Sequence, residues 1–268
     1  MTRLLTVRNL DKTFTMHLQN GLRLPVLRSV CLEVDTGECV VLGGPSGAGK
    51  STILKMIYGN YQSDAGSIVL APPQVPGRTP HTGAAVSRPD LEVDLASAGP
   101  RMVLAARRTT VGYVSQFLRC VPRVAAIDVA AEPLVERGTD HAEARERAAE
   151  LLGRLGIPSG IWSLPPTTFS GGEQQRINLA RGFIAPMPLL LLDEPTASLD
   201  EHNRQVVAAL IAEKKAAGVG ILAIFHDQDM RERVADRVID VSRFTPEGSA
   251  LYHRMEVSED ALLALLHS

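Results

Sequence analysis

Positive charge is not in excess in this 268-residue chain: 28 Lys+Arg stand against 30 Asp+Glu, a net charge of −2. That balance excludes broad electrostatic capture of nucleic acid or of an anionic membrane, though not a local basic patch. Cysteine is scarce as well. Cys31, Cys39 and Cys120 are odd in number and lack metal-ligand spacing, so the expectation is buried, reduced thiols in a cytoplasmic protein. Long apolar runs are missing too. No stretch approaches the ~18–20 apolar residues needed to span a bilayer, and the opening "MTRLLTVRNL" is too short an apolar run for a secretory signal. Any membrane role needs a separate partner.

What is present is enough apolar residue, 45%, to build a proper core. "LLTVRNL", "VLRSVCLEV" and "ECVVLGG" read as short strands broken by turns such as Asp35-Thr36-Gly37. From Gly49 the period changes, and "KSTILKMIYGN" puts Ile53, Leu54 and Ile57 on one helical face. Residues 71–100 hold six prolines and no aromatic residue. This segment reads as a proline-rich arm, either a surface loop or a docking element, with "LEVDL" alternating like an exposed strand. "RTTVGYVSQ" returns as a strand, and a small helical subdomain is expected over about 117–170. Within it "DHAEARERAAELLGRLG" opens on an Asp140–Glu143 capping pattern and buries Ala148, Leu151, Leu152 and Leu155. Then follow a helix ending before Pro186, the strand "LLLLDEP", a helix from about Asp200 to Ala217, and the strand "VGILAIFHD". Alternation of helices with almost wholly apolar strands implies a parallel sheet covered on both faces, the core being residues 1–116 and 171–240. The tail from about 241 to 268 ends in a short leucine-rich helix expected to pack on the parent domain.

Chemistry concentrates in a few stretches. Gly44, Pro45, Ser46, Gly47, Ala48, Gly49, Lys50 and Ser51, followed by Thr52, fit the G-x-x-x-x-G-K-[ST] phosphate-binding loop. Its glycines let backbone N–H groups curl around a phosphate, Lys50 supplies a point charge, and Ser51 offers a hydroxyl to Mg²⁺. Asp193 and Glu194 end an apolar strand, where open parallel sheets bind ligands. Asp193 suits the Mg²⁺ shell and Glu194 a general base; as an isolated pair they could simply cap the next helix. "FSGGEQQR" at 169–176 is a second helix start suited to an anion.

In order, the loop at 44–51, Gln116, "SGGEQ" at 170–174, "LLLLDEP", "SLD" at 198–200 and His226 resemble the ATP-binding cassette (ABC) ATPases over nearly the whole length. The resemblance implies an α/β P-loop fold in one domain: a RecA-like parallel-sheet core, an antiparallel β-subdomain and an inserted helical subdomain. It also implies ATP and Mg²⁺ as cofactors. Two such domains, a homodimer or a pair of related ATPases, would sandwich each ATP between the phosphate loop of one and the serine-glycine signature of the other. Ser170, Gly171 and Gly172, with Glu173 behind them, would then serve the partner's nucleotide. Gln116 would touch Mg²⁺ and the lytic water and report to an attached partner, His226 would bridge the γ-phosphate and Glu194, and Asp200 would line the dimer seam. Phe14 in "DKTF" would stack on adenine, with a core phenylalanine as the alternative.

Two subgroups are resembled within the family, the second more closely, so that the first stands as the alternative. "FLRCVPRVAAIDVAAEPL" after Gln116 is similar to lipoprotein-releasing and macrolide-export ATPases of membrane transporters. "NGLRLPVL" at 20–27, "TTVGYVSQFLR" at 109–119 and "FSGGEQQRINLARGFI" at 169–184 resemble an ATPase subunit of the bacterial carbon–phosphorus lyase system. That second likeness implies ATP hydrolysis in the company of soluble carbon–phosphorus lyase subunits, linked to formation of ribose 1-phosphonate 5-triphosphate, with no direct membrane insertion and no nucleic acid. The absence of a long heptad insertion separates the chain from DNA-maintenance members.

Overall fold

The computed structural model describes residues 2–16, 21–71 and 92–246. The first sheet is antiparallel and contains β1 (Arg3–Met16), β2 (Leu22–Asp35), β4 (Ala65–Leu70) and β5 (Val93–Asp94), ordered β2-β1-β4-β5. The second is parallel and contains β3 (Cys39–Gly43), β6 (Val111–Val114), β7 (Leu189–Asp193), β8 (Gly220–Ile224) and β9 (Arg237–Asp240), ordered β6-β7-β8-β3-β9. The helices are α1 (Lys50–Ile57), α2 (Pro100–Thr109), α3 (Ala126–Val135), α4 (His141–Arg154), α5 (Gly171–Ile184), α6 (Glu201–Ala216) and α7 (Gln228–Val234).

Every residue of β3, β7 and β8 is buried. Successive side chains of a strand face opposite ways, so each strand feeds two cores. Val40, Leu42, Leu189, Leu191, Leu222 and Ile224 join α1 and the antiparallel sheet, while Cys39, Val41, Leu190, Leu192, Ile221 and Ala223 join α3 to α6. Burying each such leucine contributes about 1.5–3 kcal/mol, which makes the doubly covered sheet the rigid frame.

Local chemistry sets the helix starts. Asp140 caps α4 by accepting from the N–H groups of Ala142 and Glu143, and Ala148, Leu151, Leu152 and Leu155 are buried, as their spacing indicates. Asp200 caps α6 through the Asn203 N–H. Gly182 of α5 faces β6 so closely that a Cβ would lie 2.1 Å from Val114 Cγ2.

The structure differs from the sequence expectations in three places. The strand expected from Arg108 starts at Val111, because Pro100 sits in the first turn of α2 and that helix runs on to Thr109. A proline there gives up only an N–H that has no helical partner. The arm expected over 71–100 is anchored at its C-terminal end: Leu95 is buried, and Asp94 Oδ1 accepts from the N–H groups of Ile68 and Ala96. "LEVDL" contributes only the two residues of β5. Cys31 is exposed and Cys120 half-buried; only Cys39 is buried as expected. Residues 72–91 of the arm and the leucine-rich end of the tail lie outside the described residues.

Candidate active site

Four neighbouring strands of the parallel sheet deliver the chemistry to one edge. In sheet order, β6 leads to Gln116, β7 to Asp193 and Glu194, β8 to His226, and β3 to the phosphate loop. The C-terminal edge of a parallel sheet is where such folds bind ligands, because the chain leaves the layer there and frees its polar groups.

Gly44, Gly47 and Gly49 all have positive φ, at 118°, 76° and 91°. At Gly49 a Cβ would come within 2.9 Å of Leu27, so the turn into α1 requires glycine on two counts. No side chain caps α1. Its first backbone N–H groups therefore face the loop, the arrangement that holds a phosphate. Lys50 is only 8% exposed, and its ammonium donates to the carbonyls of Gly44 at 2.9 Å and Pro45 at 2.7 Å.

Ser51 Oγ donates to Asp193 Oδ1 at 2.9 Å, and Tyr113 Oη donates to Asp193 Oδ2 at 2.9 Å. Asp193 is 2% exposed. Burial pushes its carboxyl above the usual range, while these two hydrogen bonds pull the other way. Burial likewise raises the Tyr113 phenol, helped by the Asp193 charge, which keeps it a donor. A hydroxyl and a carboxylate converging beneath a phosphate cradle are the oxygen ligands that Mg²⁺ favours, so this pair fits that ion.

Glu194 follows with φ 51°, in the left-handed region that a glutamate seldom enters. The turn aims its carboxylate between two neighbours: His226 Nε2 lies 2.6 Å from Oε1, and Gln116 Nε2 donates to Oε2 at 3.3 Å. Glu194 and His226 border a cavity of about 320 Å³ with Thr196 and the Arg204–Asp227 pair, which meets at 2.7 Å.

The signature stands apart on α5. Ser170 Oγ accepts from the Glu173 N–H and donates to Glu173 Oε2 at 2.7 Å, and the same carboxylate oxygen accepts from the Ser170 N–H at 2.9 Å. This reciprocal capping box holds the Glu173 carboxyl below its usual range. Gly171 is exposed, and a Cβ on Gly172 would lie 3.0 Å from the Ser198 carbonyl, so the signature abuts the turn that leads to Asp200. Gln175 Nε2 on the Pro195 carbonyl and Asn178 Nδ2 on the Ser115 carbonyl tie α5 to the site edge. Phe14 lies outside both cores, edge-on to Tyr61 at 5.3 Å with Lys12 5.0 Å above its ring. One chain thus gathers Lys50, Ser51, Gln116, Asp193, Glu194 and His226, and leaves Phe14, Asp200 and the signature at its margins.

Three groups escape a reading of local patterns: Tyr113, the Arg204–Asp227 pair, and a groove of about 730 Å³ behind Gln116. Arg107, Arg108, Arg119, Arg137 and Arg181 line that groove, against only two acids, Glu136 and Asp193. Phe117, 64% exposed, stands on its wall. Among the described residues the partners of Arg137 are neutral, the Arg108 carbonyl and Met187 Sδ, and burial lowers its pKa.

The doubly covered parallel sheet, the phosphate loop and the strand-end Asp–Glu pair define a P-loop nucleoside triphosphatase. The family model described as ABC transporter matches residues 27–197, and the chain belongs to that family as one of its ATPases. It is 36% identical over 220 residues to the lipoprotein-releasing system ATP-binding protein LolD of Paramagnetospirillum magneticum, covering 82% of this chain and 88% of that one. It is 34% identical over 219 residues to the pyoverdine export ATP-binding/permease protein PvdT of Pseudomonas putida, covering 82% of this chain and 30% of that longer protein. The fold matches a dimeric post-hydrolysis state of the ATP-binding cassette MJ0796 bound to ADP and Pi, with a TM-score of 0.72 and 23% identity, over 89% of this chain and 95% of that one.

Proposed function

We propose that this chain is a Mg²⁺-dependent ATPase subunit that closes on a second cassette around ATP and drives a partner docked in the arginine-lined groove beside Gln116. The observation that carries the reading is the meeting of Gln116 and His226 on the Glu194 carboxylate, one residue after an Asp193 bonded to Ser51. Lys50 and the loop N–H groups would hold the β- and γ-phosphates. Ser51 with Asp193 would hold Mg²⁺, which spreads the phosphate charge. Glu194 would take the proton from the attacking water, oriented by Gln116 and His226. The exposed start of α5 at Ser170–Gly172 would meet the neighbour's γ-phosphate, with Asp200 at the seam and Phe14 on the adenine; the dimeric relative supports that pairing.

The partner is best read as the membrane part of a transporter. LolD and PvdT carry release and export in their names, and the stretch following Gln116 resembles such ATPases. Among the described residues no helix is long and apolar enough to cross a membrane.

A second reading has its own observation. "TTVGYVSQFLR", similar to the carbon–phosphorus lyase ATPase known as PhnL, builds the end of α2, all of β6 and the wall of the groove, including Gln116, Phe117 and Arg119. That likeness therefore falls on the wall of the groove as well as on the nucleotide motifs. Under this reading the docked partners are soluble phosphonate-degrading subunits that form ribose 1-phosphonate 5-triphosphate.

Purification of tagged Glu194→Gln protein with ATP and Mg²⁺ from cells grown on a phosphonate, followed by mass spectrometry, separates the two. A permease in the eluate establishes transport, carbon–phosphorus lyase subunits establish the second reading, and failure to bind ATP overturns both.

A further inference from the structure

We propose that Tyr113 is a positioning residue for the Mg²⁺ site, setting the Asp193 carboxylate from the side opposite Ser51. The inference rests on the ATPase reading above and adds to it a residue outside the phosphate loop and the strand-end acids. The two oxygens of Asp193 are divided between two hydroxyls, Ser51 on Oδ1 and Tyr113 on Oδ2, each at 2.9 Å. A Ser51 oxygen offered to a metal would use a lone pair and could keep its proton on Oδ1, so Ser51 fixes one carboxylate oxygen and the Tyr113 bond fixes the other. Without it, a carboxylate 2% exposed would have an oxygen buried without a partner and would rotate to find one.

Tyr113 is itself held by its backbone and by its ring. Its backbone lies in β6, in parallel register with Leu191 two residues before Asp193. Its ring packs against Tyr58 with centroids 4.9 Å apart. Arg107 clamps Tyr58 in turn: the guanidinium lies 4.4 Å from the Tyr58 ring, Nε donates to the Tyr58 carbonyl at 2.8 Å, and a terminal nitrogen donates to Asn60 Oδ1 at 2.8 Å. A phenol fixed this firmly costs little further entropy to hold the carboxylate, the usual service of an outer partner to a metal ligand.

Tyr113→Phe keeps the ring and deletes only the donor. In the full-length chain, removing such an outer partner should raise the Mg²⁺ concentration needed for half-maximal nucleotide binding by about 10-fold. Binding of ATP in EDTA should stay at the parent value, and so should the melting temperature of the metal-free protein within a few degrees. Electron paramagnetic resonance of Mn²⁺ with ATP should show the bound-metal signal weakened in parallel, independently of turnover. Tyr58→Leu, which keeps the hydroxyl but loosens its ring, should shift the Mg²⁺ dependence in the same direction by less, and it serves as the test if Tyr113→Phe does not fold. An unchanged Mg²⁺ dependence, or an equal loss of binding with and without metal, overturns the assignment. Loss of all ATP binding in the parent protein would instead sink the ATPase reading beneath it.

Discussion

His226 Nε2 lies 2.6 Å from Glu194 Oε1, bringing the end of β8 onto the turn after β7. The contact joins neighbouring strands, since β7 and β8 pair up to Asp193 and Ile224. It secures a residue whose backbone is strained at φ 51°. Strain of this kind costs ~1–3 kcal/mol and persists only where surrounding contacts over-determine it. Here the Glu194 N–H bonds to the Ile224 carbonyl at 3.1 Å, and its side chain is held by His226 and Gln116. The turn thus aims a carboxylate along the edge where the phosphate loop lies.

A carboxylate held this way can be neutralised without disturbing the cradle, which tests its proposed role as the base. Glu194→Gln keeps the shape and loses the proton acceptor, so hydrolysis should fall ~10²–10⁴-fold while ATP binding stays within a few-fold of the parent. Phosphate release under single turnover, beside equilibrium binding of a fluorescent ATP analogue, measures both. Gel filtration with ATP and Mg²⁺ should show a dimer that the parent does not accumulate. Normal hydrolysis by the variant would remove Glu194 from the role.

Acid should loosen the joint between α4 and α6. Arg154 donates to both oxygens of Glu213, at 3.0 and 2.6 Å, and these bonds hold the Glu213 carboxyl below its ordinary value. A depressed folded-state pKa means that the bridge stabilises fully above the unfolded carboxylate range, near pH ~4.3, and that this contribution is lost as pH falls through the folded value. Both side chains are about half exposed, which limits the bridge to ~1 kcal/mol or less. Glu213→Gln should therefore lower the melting temperature by ~1–3 °C at pH 7 and by progressively less as the pH falls below the ordinary carboxylate range. A gap that persists undiminished in acid would make Glu213 a packing residue instead.

The motifs legible in the sequence are those in which spacing along the chain is itself the geometry. The glycines from Gly44 to Gly49 form a cradle because neighbouring residues close it, and Asp193-Glu194 marks a strand end because an apolar run stops there. The parallel sheet was legible for the same reason, in apolar stretches too unbroken for a one-sided strand. Tyr113 was not legible, because its partner is 80 residues away and the two meet only through strand pairing. Alternation along β6 carries the available signal: Val111 and Tyr113 share the face toward α1, while Val114 faces the other core. The arginines of the groove come from α2, α5 and the connections between elements. A chain with 28 basic and 30 acidic residues gives no hint in its composition that five arginines will converge.

Ser170 has one duty that the structure shows and a second that we propose, and one substitution can separate them. Its hydroxyl caps α5 by accepting from the Glu173 N–H and donating to the Glu173 carboxylate. Ser170→Ala removes a cap worth ~1 kcal/mol, which should appear as a melting temperature lower by ~2–4 °C. Serving as cap, the hydroxyl takes no part in the chain's own phosphate loop. ATP binding by the monomer should therefore be unchanged, while ATP-dependent dimer formation in the Glu194→Gln background and steady-state hydrolysis should both collapse. Replacement by threonine keeps the oxygen and should restore the melting temperature and part of the dimerisation. Full dimerisation with alanine at 170 would leave the serine a helix cap and nothing more, and would shift the contact with the neighbour's nucleotide to the N–H groups of Gly171 and Gly172.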